Sequence, residues 1–227
     1  MVRRTKAEAQ ETRQRIIDAA EHIFFLKGVS DTTLEDVARE AGVTRGAIYW
    51  HFANKVALFL ALYETVNLPQ EDMLAHGLDE GIQQTMDRLE SAGIDWLTDI
   101  SSDQQRQRIY TILLRCDYRG ELVAVLNKQK EAEKERMVAF TALFQDAQKR
   151  GYLRRNWTPD AAARTICWAM KGLVSDWLLF GQNFDLVCAG KDMLSRLFEG
   201  FREDAIACQT LTSAARNVPA RGGPNPH

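Results

Sequence analysis

The chain has 227 residues, 45% of them hydrophobic and 26% charged, with a formal net charge of −2 at pH 7. That length holds one small unit and one larger helical unit, each with its own apolar core, and the charge excludes nucleic-acid binding through bulk basicity. No run approaches the roughly 20 apolar residues that span a bilayer, and the N-terminus lacks a signal-peptide core, so the expectation is a cytoplasmic protein with no membrane partner.

Basicity is local. Met1 to Lys55 carries nine Lys and Arg against eight Asp and Glu, leaving −3 for the remainder. The first six residues form an arm with Arg3, Arg4 and Lys6 and no carboxylate. Such arms reach the DNA backbone or a minor groove in several DNA-binding folds, and in others stay solvated as flexible tails. Thr5 and Glu8 have capping-box spacing, and Ile16, Ala20, Ile23, Phe24 and Lys27 trace one face of a helix that stops at Gly28.

Thr32 to Lys55, TTLEDVAREAGVTRGAIYWHFANK, holds two short helical patterns around a Gly-containing turn and reads as a helix-turn-helix. Thr32 with Glu35 fits a capping box, and Leu34, Val37, Ala38 and Ala41 recur at helical spacing before Gly42. Thr44 caps a second helix of about two turns, with Ile48 facing inward beside Val43 and Phe52. Arg45, Gly46, Ala47, Tyr49 and Trp50 are left outside, an odd solvent face for an ordinary helix and a suitable one for a helix pressed on a duplex. Arg45 can fork onto guanine O6 and N7, Gly46 permits close approach, and a Tyr hydroxyl reaches phosphate oxygens. Val43 to Ala57 contains Arg45, His51 and Lys55 and no carboxylate, so the acidic side, Glu35, Asp36 and Glu40, is expected to be kept off the contact face. The DNA-contact candidates are Arg3, Arg4, Thr33, Thr44, Arg45, Gly46, Ala47, Tyr49, Trp50, His51 and Lys55.

The run GVTRGAIYWHFANK, with RIIDAAEHIFFLKGVSDTTLEDVAREA upstream, resembles the N-terminal domain of TetR-type transcriptional regulators, and most of all the AcrR- and TtgR-like efflux-pump repressors. The likeness is dense from about Thr5 to Leu62; beyond that it rests on length and helical pattern. It implies an all-α fold: a three-helix DNA-binding domain at residues 1–55, whose linking helix continues to about residue 70, and a ligand-binding and dimerisation domain at 56–208. It also implies that motion of residues 55–68 alters the separation of two reading heads.

Residue by residue, Asn54 can cap a fourth helix through Val56, Phe59, Leu60, Leu62, Tyr63 and Val66, and Pro69 ends or kinks it. Five more helices follow, nine in all: about Asp79–Ile100, weakened at Gly93; one opening at Ser102 or Asp103; Gly120–Arg150; Pro159–Phe180, capped by Thr158; and Asp185–Ala207. KQKEAEKERM, in the longest of them, reads as a solvated charge run. Residues 209–227, with three of the five prolines, read as a disordered tail.

A site between helices of the larger domain would be lined by apolar and aromatic groups with few polar ones. Trp96, Tyr110, Leu113, Leu114, Met137, Phe140, Phe144, Trp168 and Met170 are the candidates, each also readable as plain core, with Lys171 as a polar group for an acidic ligand or a partner carboxylate. The resemblance implies a hydrophobic or aromatic inducer. The last two helices carry more large apolar area than the monomer core needs, so Trp177, Leu194, Leu197, Phe198 and Phe201 are expected at the interface of a homodimeric four-helix bundle, as the resemblance also implies.

No enzyme constellation is present. The four His are scattered without metal-site spacing, no Gly-rich loop follows a strand, and neither cofactor nor metal is expected. Cys116, Cys167, Cys188 and Cys208 form no CxxC pair and read as small packing residues, with a redox switch left open. Two functions follow: a dimeric repressor that binds a palindromic operator, of an efflux operon by the resemblance, and is released by its inducer; or a DNA-binding assembly protein without one.

Overall fold

The computed structural model describes residues 6–66 and 83–202. Within them the chain is helical: α1 Lys6–Lys27, α2 Leu34–Glu40, α3 Arg45–His51, α4 Lys55–Glu64, α5 Gln83–Ser102, α6 Gln104–Arg115, α7 Val123–Lys149, α8 Pro159–Leu179 and α9 Leu186–Phe201. A 3₁₀ turn, Gly120–Leu122, leads into α7, and an isolated antiparallel bridge joins Leu153 to Arg202. The expected arm with Arg3 and Arg4, the break at Pro69 and the C-terminal tail lie outside the described residues.

Side-chain caps set most helix starts. Thr44, Asn54, Asp103, Thr158 and Asp185 each accept a hydrogen bond from the backbone N–H three residues on, which satisfies one orphan donor of the first turn. At α2 the capping box is one residue later than the sequence suggested. Thr33 and Asp36 make it, with Asp36 N–H on Thr33 Oγ1 at 3.1 Å and Thr33 N–H on Asp36 Oδ2 at 3.1 Å. Thr32 is buried, and its hydroxyl donates instead to the carbonyl of Gly28 at 2.7 Å, closing the end of α1. The turn after α2 has Gly42 at φ +63°, the left-handed region that side-chain-bearing residues avoid.

Two apolar cores form. The first joins Ile16, Ile17, Ala20 and Phe24 of α1 to Leu34, Val37, Ile48, Phe52, Leu58, Phe59 and Leu62, with Phe24 and Phe59 packed edge to face at 5.7 Å. It continues into Ile109, Ile112 and Val125 of α6 and α7, so residue 55 does not separate one core from the other. The second core joins α5, α7, α8 and α9 through Leu97, Phe144, Ile166, Trp177, Leu194, Phe198 and Phe201.

At the crossing of α5 and α9 each helix offers a glycine to the other's leucine. A Cβ at Gly93 would meet Leu194 Cδ1 at 3.0 Å, and one at Gly190 would collide with Leu97 Cδ1. Gly93 therefore costs helix propensity but lets two helices pack at close range.

Candidate DNA-binding surface and ligand site

The second helix of the turn motif, α3, is held from below. Ile48 is fully buried and Phe52 nearly so, while Arg13 lies over the Phe52 ring at 5.2 Å. Its outer side is open: Arg45, Gly46 and Tyr49 are exposed, Trp50 is 70% exposed, and Ala47 is half-buried. A Cβ on Gly46 would meet nothing within 4 Å, so this surface stays low for an approaching partner. His51 stands edge-on to Trp50 at 4.5 Å. Thr33 and Thr44 are exposed at the openings of α2 and α3, their oxygens already serving as caps.

The separation of acid from base expected on this face does not hold. Glu35 reaches across from α2, with Oε1 3.1 Å from Arg45 Nε and 3.3 Å from the Tyr49 hydroxyl, and the Arg45 guanidinium lies 5.7 Å from the Tyr49 ring centre. The one-residue shift of the capping box is the cause: Asp36 makes the cap, and Glu35 is left free to turn toward α3.

Lys55 is likewise corrected. Its ammonium donates to the carbonyls of Val29, Ser30 and Thr32 at 2.9, 3.2 and 3.1 Å, which uses all three of its N–H donors to close the loop after α1. None remains for a phosphate.

In the larger unit Trp96, Tyr110, Met137, Phe140 and Met170 are each partly buried and packed against the second core. Trp96 and Tyr110 meet edge to face at 6.4 Å. Burial pushes the Tyr110 hydroxyl up to about 12, with Arg136 and Arg106 pulling it back down. The other candidates separate from this group. Leu113 packs on the first core, and Leu114 is exposed. Phe144 is completely buried, edge-on to Phe201 at 5.4 Å, as plain packing. Trp168 is 62% exposed, and Lys171 also faces out.

Two residues missed in the sequence stand beside that group. Glu133 and Arg136 lie in the charge run read as solvated, yet both are only partly exposed and paired at 2.9 Å. Arg136 acts electrostatically on the hydroxyls of Tyr63 and Tyr110 and on the Cys167 thiol, groups carried by α4, α6 and α8. The signal was in the spacing: Gln129, Glu133, Arg136, Met137 and Phe140 continue the inward stripe that begins at Val125.

Four of the five expected dimer residues also need correction. Trp177, Leu194, Phe198 and Phe201 are buried within the single chain, with Leu197 partly so, and Trp177 Nε1 donates to the Phe184 carbonyl at 3.0 Å. The apolar area left outside lies instead around the outer side and end of α8, at Trp168, Leu179 and Phe180.

Among the described residues no cluster of His, Cys, Asp and Glu could hold a metal, and no helix is long and apolar enough to cross a membrane. The thiols of Cys116 and Cys167 are pushed up to about 11, chiefly by burial, which keeps them protonated and poor as nucleophiles.

Residues 16–62 match the family model of bacterial regulatory proteins of the tetR family, and residues 84–202 match the MAATS-type transcriptional repressor C-terminal region. The chain is 34% identical over 205 residues to the HTH-type transcriptional repressor BepR of Brucella suis biovar 1, covering 90% of this chain and 98% of BepR. The crystal structure of NalD, the secondary repressor of the MexAB-OprM multidrug efflux pump in Pseudomonas aeruginosa, superposes with a TM-score of 0.80 at 32% identity, over 88% of this chain and 100% of NalD. The complex of triclosan with SmeT, from Stenotrophomonas maltophilia, superposes with a TM-score of 0.77 at 27% identity, over 96% of this chain and 100% of SmeT. With both halves matched and the exposed face of α3 in place, the chain belongs to the TetR family of bacterial transcriptional regulators.

Proposed function

We propose that the protein is a homodimeric repressor of a multidrug efflux operon, which binds a palindromic operator and is released by a hydrophobic or aromatic inducer. The observation that carries this reading is the face of α3: a Trp left 70% exposed beside Arg45, Gly46 and Tyr49 serves no packing purpose in the monomer. Relatives named as efflux-pump repressors supply the class of operon, and the triclosan held by SmeT supplies the class of inducer. The inducer site is the group around Trp96, Tyr110, Met137, Phe140 and Met170, and the reading heads are paired through α8 and α9. Release requires that the inducer bind the DNA-free arrangement more tightly than the DNA-bound one.

The test is binding of the full chain to the DNA upstream of its own gene, with and without triclosan, followed by calorimetric titration of triclosan into free protein and into the operator complex. Linkage predicts weaker triclosan binding in the complex, by the same factor as triclosan weakens the operator, typically about 1–3 kcal/mol. Equal affinities in the two titrations would overturn the mechanism of release.

A further inference from the structure

Arg13 is a cation without an anion. Its guanidinium lies over the Phe52 ring at 5.2 Å, and among the described residues no carboxylate pairs with it and no oxygen accepts a hydrogen bond from it. Arg106, Arg108, Arg136 and Arg202 are partly buried as Arg13 is, and each of them holds a carboxylate. A charge drawn partly out of water needs such a partner, which the face of a Phe ring replaces only in part. The nitrogens of Arg13 still reach solvent, so a partner can come from outside.

Its place says which partner. Phe52 caps the C-terminal end of α3, His51 stands 6.4 Å from it and the exposed Trp50 ring 4.5 Å from His51, so Arg13 closes a row that begins on the contact face. The pattern of α1 points the same way. The side of that helix that carries Ile17, Ala20 and Phe24 into the first core carries Arg13, Gln10 and Lys6 in the turns before it, in steps of three and four. Gln10 and Lys6 are exposed, and Glu8, Glu11 and Asp18 turn away from this side, which leaves a basic strip clear of carboxylates. A major groove is about 12 Å wide with phosphates along both rims, so a duplex seated on α3 brings a backbone to the side chains at its flank.

Taking the outer face of α3 as the operator-reading surface proposed above, we infer that Arg13 grips an operator phosphate beside the groove that α3 enters. The ring contact with Phe52 holds the guanidinium in place beforehand and occupies none of its N–H donors, so the fork is free for phosphate oxygens. The contact carries no sequence information. It fixes the register of α3 on the duplex and contributes equally on any sequence.

The experiment measures affinity of the full-length protein for the duplex upstream of its own gene and for a scrambled duplex of the same length, over a range of salt concentrations. Arg13→Met keeps the stem and removes the charge. It should weaken both duplexes alike, by about eightfold for each engaged head at about 0.1 M salt, and reduce the slope of log affinity against log salt by about 1 per head. Arg13→Gln, neutral and polar, should do the same, whereas Arg13→Lys keeps a point charge and should hold the wild-type slope. Duplexes with one neutral methylphosphonate at a time then locate the contact: one position per half-site should weaken the wild type and leave Arg13→Met and Arg13→Gln unaffected. An unchanged slope in both neutral variants, or a methylphosphonate profile identical to that of the wild type, would overturn the inference and leave Arg13 as a support for α3. If the wild type prefers its upstream duplex and the slope does not move, the repressor reading stands and the phosphate contact falls. If the wild type binds both duplexes equally and the slope still drops, the contact stands and the repressor reading falls. Binding to neither duplex would overturn both.

Discussion

Glu21 on α1 and Arg108 on α6 form an ion pair across the two units, the carboxylate side chain only 4% exposed and the guanidinium about one third exposed. The hydrogen bond to Glu21 holds the Arg108 guanidinium above its ordinary range, against the opposing effect of burial. The α4 helix is therefore not alone in joining the DNA-binding unit to the rest. Arg108→Met should strand a buried carboxylate and cost about 2–3 kcal/mol in chemical denaturation, less than a fully buried pair would because part of Arg108 stays in water. Glu21→Met with Arg108→Met should recover most of that loss. A double variant as unstable as the single one would show that the pair is not the cause.

Arg45→Ala should lose about 1–3 kcal/mol of discrimination at one base position per half-site, the worth of a bidentate contact to a guanine. Glu35→Gln should act chiefly on affinity. With its carboxylate charge gone, Arg45 and Tyr49 meet the duplex without first leaving a competing anion, so affinity rises for all sequences while discrimination falls. Binding to operator variants at one fixed salt concentration separates the two effects. An unchanged base preference in Arg45→Ala would reassign that side chain to a phosphate.

Lys55→Ala should lower stability by about 1–2 kcal/mol, since three loop carbonyls lose their common donor. The slope of log affinity against log salt should stay as in the wild type. A slope reduced by about 1 would mean that Lys55 contacts DNA after all.

Assembly is expected to fail at the outer side of α8. Trp168→Glu with Phe180→Glu should give folded monomers that no longer hold a palindromic site, because two symmetric heads are needed to match it. Trp177→Glu should instead lower stability, since it places a charge inside the second core. Sedimentation and circular dichroism on both proteins decide the matter, and a dimeric Trp168→Glu, Phe180→Glu variant would move the interface elsewhere.

Tyr110 gives a pH dependence with a definite sign. Its hydroxyl is pushed up to about 12, whereas an unfolded tyrosine ionises near 10. Between those values the unfolded chain has released a proton that the folded chain retains. The stability contribution is therefore complete below about pH 10 and is lost as pH rises toward about 12. Tyr110→Phe should flatten the fall in melting temperature over that window, relative to wild type. Parallel curves would mean that the hydroxyl does not resist ionisation.

The helices and their caps were legible in the sequence wherever the signal is local. Thr44, Asn54 and Thr158 each sit where a β-region residue with a side-chain oxygen must stand, and no distant contact competes for them. The capping box at α2 was misplaced by one residue because Thr32 with Glu35 and Thr33 with Asp36 fit the same pattern. Only the end of α1, where the Thr32 hydroxyl meets the Gly28 carbonyl, separates them. Lys55 was misread for a similar reason: a cation near a recognition helix points toward DNA until the three carbonyls around it are seen. Trp177, Leu194, Phe198 and Phe201 were misplaced on a different ground. Helical spacing shows that α8 and α9 are apolar on broad faces, but not which side turns toward the chain's own core. The inward charges Glu133 and Arg136 were obscured by composition, since they stand among the exposed charges Lys128, Lys130, Glu131, Lys134 and Glu135 of KQKEAEKERM.

The crossing of α5 and α9 constrains how this sequence can drift. Position 190 has no room for a methyl group while Leu97 fills the space above it, and at position 93 a methyl group would require Leu194 to give way slightly. Two bulk changes of opposite sign must then be inherited together: a side chain gained at 190 requires one shortened at 97. Among descendants of this chain, positions 97 and 190 should vary as a linked pair, and a hybrid that takes one helix from a parent with the reverse arrangement should lose the contact entirely, either by collision or by an empty space.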